Sequence, residues 1–553
     1  MSIGLLSSAL SGLTAFQRSL DTTSNNIANV NTEGYSRQRV ELASRPEQYT
    51  SAGYMGVGVD TPNITRSYDQ FLTGQVRAST AAFSEVDSYH ALSSEIDNLL
   101  ADESTGLSAS MKSFFNAVND LSNDPSSIPI RKILLAETDA TANHFNTIAN
   151  RLGEIENQVN TNLQNGVDDL NNYAKGLAKL NLQIVDSIGR TTGKQLPNEM
   201  LDQRDELLRK VAEQIDISVL EQADGSVSVF IGQGQALVMG GNATSLAIKG
   251  NLTAAGTLEI EANGFNITEQ ISGGALNGNL RFRDEVLYPA QRQLGLLATG
   301  IATEFNTIHQ QGFDLNGDQG LALFDLGVPE VQVLSHVQDQ TLIAQATFQA
   351  PSSSAALASA YRIDVNSGGG FNLTNLDNPT NPSNYASLAD LQAATPSLGF
   401  NIDFLGGSLS IGDRFEISPS IHAAMTLQRN SLVSSPRQIA AAQIAGLSGD
   451  NRNALLLADL ENQTLMQNGK ASFTQVYGQL VAEIGGTTNT ALVSRSAQEV
   501  LLNQAKTEKS NLSDVNLDEE AANLIQFQNA YQAAAQAVSV ARSLFDTLIG
   551  AVR

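Results

Sequence analysis

The strongest constraint on this chain's fold is that its two ends carry the same pattern. From Leu6, apolar or small positions step by three and four through Ala9, Leu13, Phe16, Leu20, Thr23, Ile27 and Val30, with Thr23 the one polar member. From Leu524 the same stepping runs through Phe527, Tyr531, Ala534, Val538, Ala541, Phe545, Leu548 and Val552. These are heptad seams. At about 1.5 Å per residue they span roughly 36 and 42 Å, long enough to lie side by side. Pairing them brings the first and last residues of a 553-residue chain together.

Periodicity alone does not separate such a pair from two helices packed into an ordinary core. The outer faces tilt the balance. Residues 1–30 carry only Arg18 and Asp21 as charged side chains, and residues 521–553 only Arg542, Asp546 and Arg553. A solvated helix face carries more ions than this. Ser, Asn, Gln, Thr and Ala cover these faces, and they cost less to bury than charges do. Both ends therefore read as surfaces for lateral packing. A single seam is marginal in water, so the ends are expected to order fully on assembly.

Inside the ends lies a second helical layer. It begins at Leu92, Ile96 and Leu99 and continues from Phe145, Ile148, Leu152, Ile155 and Val159 through Leu163, Val167, Leu170, Tyr173, Leu177, Leu180 and Ile184. Further helices are predicted over about 285–310 and much of 437–512. Residues 216–280 alternate apolar and polar around an Asp224–Gly225 turn, a hairpin signal. Residues 325–425 are rich in Gly, Asn, Ser and Pro between short apolar runs.

The predicted fold is an α+β multidomain protein: an elongated helical shaft with paired N- and C-terminal coiled-coil helices and β-rich inserts. Its expected domains are 1–40 with 515–553, an inner terminal unit; 41–215 with 281–324 and 426–514, the shaft; 216–280, a β-rich insert; and 325–425, an outer β-rich insert.

The formal charge of −25 argues against nucleic acid and anionic lipid, which require basic patches. With no cysteine there is no disulfide, thiolate nucleophile or Cys-based zinc site, although this leaves the compartment open. The N-terminal segment has no basic n-region, so a cleaved Sec signal is not expected, and no run of about 18 apolar residues suggests a membrane span. The histidines, at 90, 144, 309, 336 and 422, show no ligand spacing, so no metal is expected. "DLNGDQGLALFD" places Asp314, Asn316, Asp318 and Asp325 like a calcium loop, but its Gly320 is one position late, and a tight Asx-type turn is the better reading. Nothing argues for catalysis or a cofactor.

One stretch remains unexplained by any of this: an amide-rich exit from the first helix, with a Gly and a Tyr and no catalytic group. "SNNIANVNTEGYSRQ" (24–38) closely resembles the N-terminal signature of flagellar axial proteins, the rod, hook and hook-associated family. "NLDEEAANLIQFQNAYQAAAQAVSVA" (516–541) resembles their C-terminal signature. "YDQFLTGQ" (68–75), "PNEMLDQRDELL" (197–208), "HQQGFDLNGDQG" (309–320) and "GDNRNALLLADL" (449–460) point within that family to the hook-associated members. The resemblance is weak over 325–425. Glu33 departs from a Pro common among relatives, which leaves the turn less rigidly preset.

The resemblance implies that the terminal helices form an inner tube wall. Leu6, Leu13, Phe16, Leu20 and Ile27 would line one assembly helix, and Leu524, Phe527, Tyr531, Val538, Phe545 and Leu548 the other. Asn29, Asn31, Thr32, Gly34, Tyr35, Ser36, Arg37 and Gln38 would form a joint between inner and outer layers. The implied role is a structural adaptor of the bacterial flagellum, exported by the type III apparatus and polymerising at the hook–filament junction. Its implied partners are copies of itself in a tubular lattice, the hook protein, a second hook–filament junction protein and an export chaperone. Other axial roles, such as the hook protein itself, and a secreted adhesin or enzyme seated in 325–425, are the competing readings.

Overall fold

In the computed structural model the protein is described over residues 2–50, 53–102, 106–191, 195–249, 258–327, 330–333, 339, 341–348, 360–376, 380–398, 400–467 and 469–552. Helix α1 (Ser2–Ala28) leads into a ribbon of β1 (Gln38–Ser44) and β4 (Val59–Arg66), tipped by the hairpin β2 (Gln48–Thr50) and β3 (Gly53–Met55). The shaft follows as α2 (Gln70–Ala101), α3 (Leu107–Asn123), α4 (Ile128–Arg190) and α5 (Asn198–Gln214).

Helix α4 runs 63 residues without a break. Pro129 sits in its first turn, where a missing N–H costs nothing. Its buried positions, among them Phe145, Leu152, Val159, Leu163 and Leu170, form one continuous stripe. After α6 (Gly274–Phe282) a single π-turn over Arg283–Leu287 leads into α7 (Tyr288–His309). Phe114, Phe115, Phe305, Phe324 and Phe473 meet at the centre with ring centroids 4.9–6.5 Å apart, joining four segments distant in sequence. Burying each such ring stabilises the fold by about 1.5–3 kcal/mol.

The first insert is a four-stranded sheet of β5 (Ile217–Glu221), β6 (Val227–Ile231), β7 (Gln235–Met239) and β8 (Asn242–Ala243). A three-stranded sheet of β9 (Leu246–Lys249), β10 (Glu259–Ala262) and β11 (Phe265–Asn266) follows it. At the predicted turn Gly225 has φ of +87°, and the Asp224 carboxylate accepts the Ser226 N–H. Strand β12 (Phe324–Asp325) then opens the outer insert.

That insert contains β13 (Glu330–Val333), β14 (Leu342–Phe348), β15 (Tyr361–Val365), β16 (Phe371–Asn375), β17 (Ser383–Tyr385), α8 (Leu388–Ala394), β18 (Phe400–Gly406) and β19 (Arg414–Ser418). Five strands pair in the order β13-β19-β15-β16-β17, and β14 pairs with β18. Ile363, Leu391, Phe400, Phe415 and Ile417 give the insert a core separate from the shaft's.

Helix α9 (Ala423–Thr426) and strand β20 (Gln428–Arg429) return the chain to the shaft. It ends in α10 (Arg452–Asp459), α11 (Phe473–Ser513) and α12 (Leu517–Val552). The architecture is an α+β multidomain fold with long terminal helices and β-rich inserts.

Two expectations change. The helix predicted over much of 437–512 is interrupted: Ile439–Asp450 is irregular chain, buried in the core over Ile439–Ala442 and exposed over 443–449. There the Ala440 N–H donates to His309 Nε2, the Asn453 amide donates to the Ala440 carbonyl, and Phe313 and Ala442 exchange backbone bonds. Those partners satisfy a backbone that a helix would otherwise satisfy itself. The expected boundary at residue 40 falls inside the β1–β4 ribbon, which packs along α1. Among the described residues no helix is long and apolar enough to cross a membrane, and no cluster of potential metal ligands occurs. Asp314 instead closes the anticipated Asx turn, accepting the N–H groups of Asn316 and Asp318.

Candidate assembly joint

Helices α1 and α12 lie against one another over most of their lengths. The end of α1 meets the start of α12, so they run antiparallel. Leu13, Phe16, Leu20 and Ile27 are half-buried, as are Leu524, Phe527, Tyr531 and Val538. Toward the free ends the seam opens, leaving Leu6 40% and Phe545 44% exposed. The side chain of Leu548 lies outside the described residues.

Apart from Thr23, the deepest positions of α1 lie off its seam, at Ser11, Ala15, Ser19, Thr22 and Asn26. Ser11 Oγ accepts the Val59 N–H at 3.1 Å, and Arg18 donates to Thr61 on the same ribbon. Small side chains let the ribbon approach closely: a Cβ on Gly58 would strike Ser11 Oγ. Part of the polar face expected to meet neighbouring subunits is therefore covered by the chain's own ribbon.

At the exit of α1, Asn26 is 1% exposed and engages three segments at once. Its amide N–H donates to the Gln38 carbonyl at 2.9 Å and to Glu520 at 3.2 Å. Its Oδ1 accepts the Gln38 N–H at 2.9 Å and the Tyr35 hydroxyl at 2.8 Å. The side chain thereby acts as one more rung of backbone pairing, closing the loop of residues 27–37.

Within that loop the Asn29 amide donates to Asn25, Thr32 donates to Asn29, and Gly34 supplies a φ of +79°. Asn31 is exposed. Burial, with Asp202 nearby, pushes the Tyr35 phenol up to about 12, so it remains a donor at any physiological pH.

The next residues fasten the loop to both layers. The Ser36 N–H donates to Asp202 Oδ2 at 3.0 Å, reaching α5. The Arg37 N–H donates to the Ser513 carbonyl at 2.8 Å, and its guanidinium reaches Glu520 at 2.7 Å and Glu519 at 2.6 Å. Gln38 Oε1 accepts from Asn198. Arg66, stacked 4.0 Å over the Tyr68 ring, bridges Asp202 at 2.8 Å and Asp205 at 2.7 Å. Burial raises the Asp202 carboxyl, while the Ser36 N–H and Arg66 act in the opposite direction.

Glu33 pairs with Arg209 of α5 at 3.1 Å, tying down a turn that lacks proline. Sequence reasoning missed Asn26, Arg66, Asp202, Asp205, Ser513 and Glu520. Asn26, Asp202, Asp205 and Glu520 lie inside stretches that carry the resemblance, whereas Arg66 and Ser513 carried no local signal.

Residues 93–324 match the family description "Flagellar hook-associated protein FlgK helical domain". Residues 6–35 match "Flagella basal body rod protein", and residues 508–551 match "Flagellar basal body rod FlgEFG protein C-terminal". The chain is 33% identical to flagellar hook-associated protein 1 of Escherichia coli K12, covering 99% of both chains. It is 28% identical to the Bacillus subtilis protein of the same name, covering 98% of this chain and 97% of the other. The fold is similar to that of the flagellar hook junction protein FlgK from Burkholderia pseudomallei, with a TM-score of 0.68 and 20% identity over 79% of this chain and 99% of that one. A joint that gathers the inner ends of both terminal helices, a matching helical shaft and full-length identity above 30% place this chain in the flagellar hook-associated protein 1 family.

Proposed function

We propose that the protein is a noncovalent structural adaptor of the flagellum, laid down at the distal end of the hook where the filament begins. The observation that supports this most is the terminal pair: its seam is closed near the joint and open toward Leu5, Leu6, Leu10, Leu544 and Phe545, which leaves apolar surface for neighbours. Copies of the chain pack through this surface in a tubular lattice, with the hook protein on one side and a second junction protein on the other. An export chaperone covers the same helices before the chain leaves the cell unfolded through the type III apparatus.

In this reading the joint fixes the angle between inner pair and shaft, and the separately cored outer insert tolerates sliding between hook and filament. Electron microscopy of a deletion strain, with an assay for flagellin in the medium, tests it. Bare hooks with released flagellin are expected. Normal filaments would overturn the adaptor role, and missing hooks would move the protein earlier in axial assembly.

A further inference from the structure

Two exposed apolar features lie at a distance from the joint. The first is the β2–β3 hairpin. Tyr49 and Tyr54 are directly opposed across it, their rings edge to face at 5.3 Å, yet they are 74% and 73% exposed. Residues 48–59 include no charged side chain. A lone two-stranded hairpin is marginal in water, and an aromatic pair at its tip gains most of its worth once covered.

The second feature is the outer face of α11. Its inner face, including Ala491, Leu502 and Ala505, is buried where the helix packs along α2. Opposite them Val493, Ala497, Val500, Gln504 and Thr507 follow one another at spacings of three and four, all exposed and none charged. Val493 is 64% exposed and Val500 is 66% exposed. A solvated helix face ordinarily carries ions along such a line.

Within one subunit the two features are far apart. The ribbon follows α1 from the Asn26–Gln38 contact to the Ser11–Val59 contact, which carries its hairpin end past the first turns of α1. That end is about 30 Å from the joint at 1.5 Å per helical residue. Helix α11 reaches the joint at Ser513 and shares no extended packing with α1 or α12. Its stripe begins about 10 Å from Ser513 and ends about 30 Å from it, away from the terminal pair.

We propose that the Tyr49–Tyr54 hairpin of one subunit seats across the Val493–Val500 stripe of a second copy displaced along the assembly axis. Charge selects the occupant. Two copies each carrying −25 repel wherever their acidic surfaces meet, and both of these surfaces lack charge. The contact joins two different patches, so it propagates from copy to copy instead of closing into a dimer. It rests on the polymerising role proposed above and names one axial contact within it.

Because the chain has no cysteine, Tyr54→Cys and Val500→Cys placed in one chain form a unique pair. Mild oxidation of isolated hook–junction preparations is expected to give a ladder of disulfide-linked copies, with no ladder from either single variant. Chain that is incorporated yet stays monomeric after oxidation overturns the contact and leaves the adaptor role standing. Absence of the wild-type chain from the hook tip overturns both. A photoreactive label on Tyr54→Cys that captures only a different flagellar protein also overturns the contact. Val500→Lys, at an exposed site compatible with folding, is expected to cause loss of filaments with flagellin in the medium, while Ile343→Lys on the outer insert leaves motility intact. Normal motility of the Val500→Lys strain would count against the proposal.

Discussion

The shaft and the terminal pair are both built from long helices, yet different forces hold them. The shaft closes around five phenylalanines and a long, mainly apolar stripe on α4, so its stability comes largely from area removed from water. The terminal pair has a half-open seam and is fixed at one end by directional bonds through Asn26, Arg37 and Arg66. Burial makes a rigid body whatever surrounds it. A hydrogen-bonded clasp sets an angle and leaves the remaining surface to be completed by other subunits.

This contrast can be broken first at the shaft. Phe305→Ala removes a fully buried ring and is expected to cost about 3–5 kcal/mol, read as a lowered urea midpoint for the whole shaft. Retention of the wild-type midpoint would show that the aromatic cluster is not the keystone.

Acid should act on the shaft next. His309 is buried with Nδ1 donating to the Leu321 carbonyl and Nε2 accepting the Ala440 N–H, and burial lowers its pKa to about 4. The unfolded chain takes up that proton near 6.5, so this contribution is complete above 6.5 and is lost as pH falls through 4. Up to about 3 kcal/mol is at stake. Urea midpoints between pH 7 and 4 should fall more steeply for the wild type than for His309→Gln; equal slopes would remove His309 as the cause.

At the clasp, Asn26→Ala leaves buried partners unsatisfied, at about 1–3 kcal/mol. Hydrogen exchange should speed up in residues 27–38 and the first turn of α12 while the shaft remains protected. If the shaft loosens equally, the two regions are a single cooperative unit. The smallest effect belongs to Glu33→Gln. Glu33 is largely exposed, so its pair with Arg209 is worth at most about 1 kcal/mol and any change in loop protection should vanish in high salt.

The terminal seams, the α4 stripe and the Asp224–Gly225 hairpin were legible because each is a local period or turn with its physics contained in neighbouring residues. The irregular chain at 439–450 was not. Its alanines carry a helical period, but their backbone is satisfied by His309, Phe313 and Asn453, which no local pattern reveals. The same holds at the joint. The amide-rich turn stands out in sequence, whereas Asp202 is 166 residues from Ser36 and Glu520 is 494 from Asn26. The small polar face of α1 was assigned to neighbouring subunits because composition reports that a face tolerates burial without reporting what buries it.

The separation between Asn26 and Glu520 also sets an order of events. A chain emerging lengthwise can lay the β1–β4 ribbon along α1 early, but the apolar seam of α1 has no partner until the final helix arrives. Forming that clasp early would require closing a loop of nearly the whole chain, at an entropic cost that no other contact has yet offset. The clasp therefore closes last, when the folded shaft has already drawn the two ends near one another. Until the final residues emerge, the first helix remains open and cannot lock the molecule prematurely, so the order of the chain serves as its own timer.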